Sequence, residues 1–264
     1  MTLTVARERR LVFGEVAELY DRARPSYPAA LVDDVLELAP VERQCEVLEV
    51  GSGTGKATAL FAARGVRVLA LEPSAEMAAV ARRNCERYPG VRLIGSDFEH
   101  WESDGARVPL IYSAQAWHWV APEQRYVRAH AALIDGGMLA AFWNQPDWTR
   151  CALRDELLDA YRLAPELDGP MNPASSMRPE LWGYWEGEIG AASGLDDPRV
   201  RSYRWQRVYS TAEYVALLRT HSDHAMLADD RREALFAAIA GVLDRHHGKL
   251  PLRYITWLCL ARRS

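Results

Sequence analysis

The stretch Val47–Gly55, with the sequence VLEVGSGTG, decides the fold of this chain. A short, mostly apolar strand leads directly into a turn in which every second residue is glycine. Glycine adopts positive φ angles without strain and lets the backbone approach a ligand closely. A helix is predicted to follow over about residues 54–64, and its first turn would offer unpaired N–H groups. The stretch therefore predicts a nucleotide-type site at the end of the first strand.

Two common phosphate-binding motifs do not fit this spacing. A P-loop needs Gly-x4-Gly-Lys followed by Ser or Thr, but Val50 replaces the first glycine and Lys56 is followed by Ala57. The dinucleotide motif G-x-G-x-x-G needs a third glycine, which would fall on Lys56 or Thr58. What remains is Glu-x-Gly-x-Gly-x-Gly over residues 49–55. A turn without a ligand stays an alternative, although such a glycine-rich run weakens folding unless close approach is needed.

Composition and charge restrict the class of protein. The 264 residues are 49% hydrophobic and 26% charged, which suits one large α/β domain or one domain with an inserted cap. The net charge of -4 gives no general attraction for nucleic acid or an anionic membrane, so neither is expected as a partner. No signal peptide or membrane span is recognised. Four cysteines without C-x-x-C spacing are expected to be reduced thiols in a cytoplasmic protein: Cys45, Cys85, Cys151 and Cys259.

The order of predicted elements indicates a doubly wound, Rossmann-like α/β sheet. Strands are predicted at 46–50, 66–71, 91–95, 110–114 and 138–143, with helices near 54–64, 74–86 and 122–133. Most of these strands are continuous apolar runs, as in a parallel sheet covered on both faces. Two helices, about 11–24 and 28–38, precede the first strand, and residues 144–198 are predicted to be an insertion with a helix near 149–163. The remaining elements are strands at 199–209 and 254–261 and helices near 211–219 and 225–246.

Acidic residues lie at the carboxyl ends of three of the predicted strands, where ligands sit in open α/β sheets. Glu49 comes just before the glycine turn. Glu72 closes the second strand, where a carboxylate can accept hydrogen bonds from ribose hydroxyls, and a surface salt bridge is its alternative role. Asp97 and Phe98 follow the third strand, where they could bind a purine amino group and pack on its ring. Capping of the next helix is an equally good interpretation of Asp97.

The fourth strand leads into an aromatic group around a histidine. The sequence Ser113–Trp119 reads SAQAWHW, and bulky rings beside His118 at a strand end predict a pocket edge. His118 could face a substrate there or be structural. Core packing is an equal alternative for each tryptophan at this edge: Trp117, Trp119 and Trp143.

Four motifs in this order resemble the class I S-adenosylmethionine (SAM)-dependent methyltransferases, whose first motif has the form Glu-x-Gly-x-Gly-x-Gly. The others are Leu-Glu-Pro-Ser at 71–74, Gly-Ser-Asp-Phe at 95–98 and Ala-Trp-His-Trp at 116–119. Together with the upstream run Tyr20–Pro28, they are similar to a subgroup that includes trans-aconitate methyltransferase-like enzymes. The match covers about residues 13–143 and extends to the C-terminal residues 261–263.

The resemblance implies a seven-stranded sheet with an antiparallel last strand, in a single domain over 1–264. It implies an N-terminal lid at about 11–40 and, with the insertion, a substrate cap at about 145–198. It assigns the cofactor SAM to these residues: Tyr20, Arg24, Tyr27, Glu49, Gly51, Gly53, Gly55, Glu72, Pro73, Asp97 and Phe98. Trp117, Trp119, Trp143 and Asn144 would line the substrate pocket, and Arg24 could meet the SAM carboxylate.

The implied activity is methylation of O or C in a small molecule, such as a carboxylate or a natural-product intermediate, by a monomer or homodimer. Positioning a nucleophile in line with an activated methyl group supplies much of the acceleration. A carboxylate needs no base, whereas a hydroxyl or an enolisable carbon does, and His118 is the candidate base. A SAM-binding module without catalysis, a nicotinamide oxidoreductase and an RNA methyltransferase stay as alternatives.

Two other patterns are interpreted structurally. His221-x-x-His224 and His246-His247 lack a completing set of Cys or carboxylate ligands, so no metal is expected, and we interpret them as solvated helix faces. Alternation over 199–209 puts aromatic and arginine side chains on one side, which could bind single-stranded nucleic acid. A half-buried strand is the better interpretation of that run.

Overall fold

The computed structural model of the chain describes residues 17–42, 45–175, 180–192 and 194–264. It divides into two compact units. The first contains residues 1–25, 144–178 and 204–255, and the second contains 26–143, 179–203 and 256–264. The predicted helix over 11–24 is observed as Ala17–Ala23, and its first part lies outside the described residues.

The helices and strands follow the predicted alternation. The strands are β1 Glu46–Val50, β2 Arg67–Leu71, β3 Val91–Ile94, β4 Val108–Ala114, β5 Leu133–Pro146, β6 Leu195–Ser210 and β7 Lys249–Arg263. The helices are α1 Ala17–Ala23, α2 Ala29–Leu38, α3 Lys56–Ala62, α4 Ala75–Cys85, α5 Pro122–Ala132, α6 Arg154–Tyr161, α7 Glu180–Ala191, α8 Thr211–Arg219, α9 Ser222–Ala225 and α10 Asp229–Arg245. Short 3-10 turns occur at Trp117–Trp119 and Trp148–Arg150.

All seven strands form one mixed sheet with the order β3-β2-β1-β4-β5-β7-β6, and the last strand is antiparallel. The expected Rossmann-like, seven-stranded α/β class is confirmed. β1 lies between β2 and β4, and both pairs are parallel. The strand order reverses at β1, so ligands are expected at the carboxyl end of this strand. The glycine turn begins there.

The strands of the second unit bury both faces. Leu48 and Val50 of β1 belong to one hydrophobic cluster, and Val47 belongs to another on the opposite face. Successive side chains of a strand point to opposite faces, so two apolar layers are needed to cover this sheet. Helices α2 and α3 contribute to the second cluster through residues such as Leu31 and Phe61.

The first unit has a separate core. Residues of α6, α8 and α10 form a cluster with Tyr209 and Tyr254, whose hydroxyl groups are 2.8 Å apart. α8 begins with a capping box: Ser210 Oγ accepts from the Glu213 N–H, and the Glu213 carboxylate accepts from the Ser210 N–H. This satisfies two backbone donors at the start of the helix.

Several elements differ from the sequence expectation. β5 extends over Leu133–Pro146 rather than 138–143, because Leu133 also pairs with Val108 of β4. α7 lies inside the region predicted to be a cap. The half-buried β6 is confirmed, because Tyr203, Trp205, Arg207 and Tyr209 are less exposed than the residues between them. In the part of the chain that the structure describes, no helix combines the length and apolarity needed to cross a membrane.

Candidate functional site

The turn after β1 adopts the backbone that its glycines allow. Gly51, Gly53 and Gly55 have φ angles of 71°, 56° and 82°. The N–H groups of Gly51 and Ser52 both donate to the Leu71 carbonyl oxygen, at 3.0 and 2.9 Å. The turn is therefore fastened to the end of β2. Non-glycine residues are strained at such angles, so the sequence fixes this conformation at the carboxyl edge of the sheet.

Each glycine also meets different surroundings. A Cβ on Gly51 would lie 2.5 Å from the Ala116 Cβ, so this glycine permits close packing against the residue that follows β4. A Cβ on Gly55 would lie 3.1 Å from Cys85 Sγ and 3.2 Å from Ala81, both on α4. A Cβ on Gly53 would meet nothing within 4 Å. The turn is thus closed at both ends and open in the middle, where a ligand could approach the backbone.

Glu72 connects the end of β2 to the glycine turn. Its Oε2 accepts a hydrogen bond from the Gly53 N–H at 2.7 Å, and its Oε1 accepts from the Ser74 N–H at 2.9 Å. The residue is only 7% exposed, while the neighbouring Pro73 is exposed. Glu72 therefore faces the turn, as its predicted role requires, and does not lie on the outer surface.

Glu49 lies beneath the turn in a buried polar group. Its Oε2 accepts hydrogen bonds from Thr58 Oγ1 at 2.5 Å and from the Tyr112 hydroxyl at 3.0 Å. Complete burial raises the pKa of Glu49 from 4.5 to about 7, although both hydrogen bonds act in the opposite direction. Glu72 adds a smaller like-charge contribution. The carboxyl group is thus poised to change protonation near neutral pH.

Asp97 and Phe98 follow β3 as expected. Asp97 Oδ1 accepts from the backbone N–H of His100 at 2.9 Å and lies 2.6 Å from His100 Nδ1. Residues 98–100 form a turn and not a helix, so Asp97 closes a turn here and does not cap a helix. The Phe98 ring is 1% exposed, with centroids 5.9 Å from Trp117 and 6.3 Å from Trp101. Phe98 therefore packs in the core beside the turn, and binding of adenine by this pair stays a prediction.

The aromatic edge separates into a buried and an accessible part. Trp117 is 2% exposed and packs against Phe98 and Tyr126, which is the core role considered for it. Trp119 and Trp143 are partly exposed, and His118 is exposed between them. The ring centroid of His118 lies 4.8 Å from that of Trp119 and 6.5 Å from that of Trp143. These three rings are the accessible part of the edge.

A hydrogen bond fixes the protonation of His118. Trp143 Nε1 donates to His118 Nδ1 at 3.1 Å. Desolvation by the surrounding protein, and then the Arg125 guanidinium, lower the pKa of His118 below 6.5. The hydrogen bond acts in the same direction, because Nδ1 can accept only while it is unprotonated.

The remaining predicted residues are placed as follows. Tyr20 and Arg24 belong to the first unit, where Arg24 Nε and Nη2 donate to Thr220 Oγ1 and its carbonyl oxygen, both at 2.8 Å. Tyr27 belongs to the second unit and packs edge-on against Phe142, with centroids 5.0 Å apart. Asn144 lies on β5, in the first unit. Their roles toward a cofactor or substrate stay predictions.

The interpretation of His221 and His224 as solvated is wrong. They are 8% and 0% exposed. His224 Nε2 lies 2.9 Å from the Tyr161 hydroxyl, and its Nδ1 lies 2.8 Å from Asp223 Oδ1. Both are buried in the first unit, and no group of three potential metal ligands occurs among the described residues.

Sequence reasoning missed Ala116 as a partner of the turn. Its small side chain is what lets β4 end against Gly51. The sequence feature that could have pointed to it is a small residue between Gln115 and three residues with large rings, Trp117–Trp119, at the end of a predicted strand. The hydrogen bond between Trp143 and His118 joins residues that are 25 apart on different elements, so no local pattern pointed to it.

Comparisons with known proteins identify the family and the fold. The model of the methyltransferase domain family matches residues 47–137, from β1 into β5. An uncharacterised methyltransferase of Mycobacterium tuberculosis is 36% identical over 148 residues, which are 54% of this chain and 58% of that protein. This chain thus spans less than two thirds of the length of that relative.

A longer match is to a trans-aconitate 2-methyltransferase from Paracidovorax citrulli, which is 32% identical over 262 residues, 92% of this chain and 94% of the relative. A solved structure assigned as a type II methyltransferase from Anaeromyxobacter dehalogenans has a TM-score of 0.63 at 22% identity, covering 90% of this chain and 96% of that one. This structural likeness concerns the fold alone. The chain therefore belongs to the class I S-adenosylmethionine-dependent methyltransferase family.

Proposed function

We propose that the protein transfers a methyl group from SAM to O or C of a small molecule, with a carboxylic acid as the favoured acceptor. The observation that carries this proposal is the open face at Gly53, bordered by the Glu72 carboxylate. The accessible rings around His118 support an acceptor site, because Ala116 joins their segment to the same turn. The relative named for trans-aconitate supports a carboxylate acceptor.

The residues at the turn fit the cofactor. Among the described residues of the turn, Ser52 Oγ and Thr54 Oγ1, which flank Gly53, are buried without a hydrogen-bond partner. Buried polar atoms normally have partners, so a polar ligand at this turn would satisfy them. The Glu72 carboxylate borders the open face at Gly53, and an ionised carboxylate offers about four acceptor sites. We expect it to accept from ribose hydroxyls.

The protein does not need to activate the methyl group, so its main task is to bind and orient the two reactants. When bound, SAM supplies a methyl group already activated by its sulfonium charge. The turn binds the cofactor, and the accessible rings of Trp119 and Trp143 pack against the acceptor and exclude water. Aromatic faces also attract a neighbouring cation, by about 0.5–2 kcal/mol. Proximity and orientation then supply most of the acceleration.

Calorimetric titration with SAM tests the binding step. We expect Glu72→Ala to weaken SAM binding at least about tenfold, because hydrogen bonds to charged groups contribute about 1.5–3 kcal/mol each. Glu86→Ala is the matched control, since this exposed carboxylate follows α4 and removal changes the net charge equally. Unchanged affinity in Glu72→Ala would contradict the assigned role of Glu72.

Labelled SAM and a panel of mono-, di- and tricarboxylates that includes trans-aconitate test the transfer step. The expected result is a labelled methyl ester or C-methyl product from at least one acid. Tight SAM binding without transfer to the panel or to a cell extract would indicate a SAM-binding protein without catalysis. Absence of SAM binding would refute the proposal as a whole.

A further inference from the structure

The hydrogen bond from Trp143 determines which ring nitrogen of His118 carries the proton. An indole N–H is only a donor, so the 3.1 Å hydrogen bond from Trp143 Nε1 requires a lone pair on His118 Nδ1. A neutral imidazole carries one proton, which must then be on Nε2. The single basic lone pair of the ring is therefore occupied by Trp143, and the other nitrogen is a donor.

Desolvation, and then one neighbouring positive charge, favour the neutral form of the ring. Arg125 is the charged group that acts on His118, and its Nη2 lies 2.5 Å from Glu188 Oε1. Desolvation and this guanidinium both lower the pKa of His118, in agreement with the direction of the indole hydrogen bond. At neutral pH the ring thus presents an uncharged N–H group.

The position of this donor connects it to the glycine turn. His118 lies in the 3-10 turn Trp117–Trp119, directly after Ala116, whose side chain leaves no room for a Cβ on Gly51. The Gln115 N–H donates to the Phe142 carbonyl oxygen at 2.8 Å, which ties the end of β4 to the strand that carries Trp143. Two strand ends therefore hold the imidazole beside the proposed cofactor turn.

We infer that His118 is a positioning residue whose Nε2–H donates a hydrogen bond to an anionic oxygen of the methyl acceptor, and that it is not the base of the reaction. This inference rests on the proposed function. An acceptor that reacts without a base must bring its own electron pair, as a carboxylate does. Its oxygen forms the new bond to the methyl carbon while the carbon–sulfur bond breaks, the sulfonium becomes a neutral thioether, and no proton leaves.

Nitrogen-15 NMR of the full chain, labelled in histidine, reads the tautomer without any substrate. The His118→Gln spectrum identifies the His118 resonances by their absence. We expect a protonated Nε2 and an unprotonated, hydrogen-bonded Nδ1 that do not titrate between pH 5.5 and 8. Trp143→Phe removes the indole donor and is expected to shift the Nδ1 resonance. A proton on Nδ1 of the wild-type protein would overturn the inference.

Steady-state kinetics with SAM and trans-aconitate, or with an acid found in the carboxylate panel, separate a donor from a base. For a donor, His118→Ala raises the KM of the acid about 10- to 100-fold, because one hydrogen bond to a charged group is lost, and His118→Gln recovers most of it with its amide N–H. For a base, both variants lose about 10²–10⁴ in kcat, and this result would overturn the inference.

Failure of the two proposals can be distinguished. If the wild-type protein methylates no acid, the carboxylate acceptor of the proposed function fails, and binding of trans-aconitate to the SAM complex is followed by NMR instead. A shift of the His118 Nε2 resonance on adding the acid supports the donor role. A resonance that stays unchanged at saturating acid contradicts it.

Discussion

Replacing Gly51 with alanine tests whether the close packing of the glycine turn was correctly identified. The new Cβ would lie 2.5 Å from the Ala116 Cβ, with the backbone at a φ of 71°. A left-handed backbone costs a non-glycine residue about 1–2 kcal/mol. Forcing a methyl group into a packed site costs about 1–3 kcal/mol more. We therefore expect Gly51→Ala to lower the free energy of unfolding by about 2–5 kcal/mol.

Alanine variants of two other glycines distinguish the effect of backbone strain from the effects of packing and of ligand binding. Gly53 and Gly65 have φ angles of 56° and 80°, and a Cβ on either would meet nothing within 4 Å. For both alanine variants, we expect the free energy of unfolding to fall only by the cost of the strained backbone, about 1–2 kcal/mol. Gly65 follows α3, away from the turn, so its variant controls for strain. Only Gly53→Ala is expected to weaken SAM binding, because its methyl group occupies the open face.

Urea unfolding followed by tryptophan fluorescence gives the free energies, and calorimetry gives the SAM affinities. Close packing at Gly51 is refuted if Gly51→Ala is no less stable than Gly65→Ala, since the Ala116 contact would then cost nothing. The open face at Gly53 is refuted as a SAM site if Gly53→Ala binds SAM as tightly as the wild-type protein does. Either result would mean that the turn is not shaped for close approach at the position assigned.

Three further predictions concern stability. The pKa of Glu49 is raised from 4.5 to about 7 in the fold, so its contribution to the free energy of unfolding is complete below pH 4.5 and is lost as the pH rises through 7. Urea unfolding should show that the free energy of unfolding declines by roughly 3 kcal/mol over this range, and Glu49→Gln should lack this decline. Phe61→Ala should cost about 3–5 kcal/mol in the same assay, because the ring is fully buried and stacks 3.9 Å from Tyr112. Ser210→Ala should lower the free energy of unfolding by about 0.5–2 kcal/mol through loss of the capping box with Glu213, whereas Ser210→Thr should retain most of it.

The elements with a strong local signal were predictable from the sequence. β1 and α8 begin and end where expected, because one is a compact apolar run before glycine and the other begins with Ser210 and Glu213 in capping-box spacing. The glycine turn and Glu72 were also predictable, because a strand end in a parallel sheet fixes where the next side chains meet.

The helix α7 could not be predicted in the same way. Its sequence contains three glycines, which disfavour an isolated helix. Contacts distant in sequence stabilise it instead: Trp185 Nε1 donates to the Leu260 carbonyl oxygen at 3.0 Å, Ile189 is 1% exposed, and Glu188 pairs with Arg125. The tautomer of His118 is a second case, since it depends on Trp143 from another strand end.

The 16-residue strand β6 stands last in the strand order of the sheet, and its composition bears on how the protein behaves at high concentration. An exposed strand edge can act as a template on which other chains aggregate. Here Arg199, Arg201 and Arg204 are exposed along the strand, and Pro198 lacks an N–H donor. A second copy aligned on this edge would have to order these long side chains again, although each guanidinium already lies beside a carboxylate of its own chain. The proline and the charged residues thus disfavour growth of the sheet into fibrils.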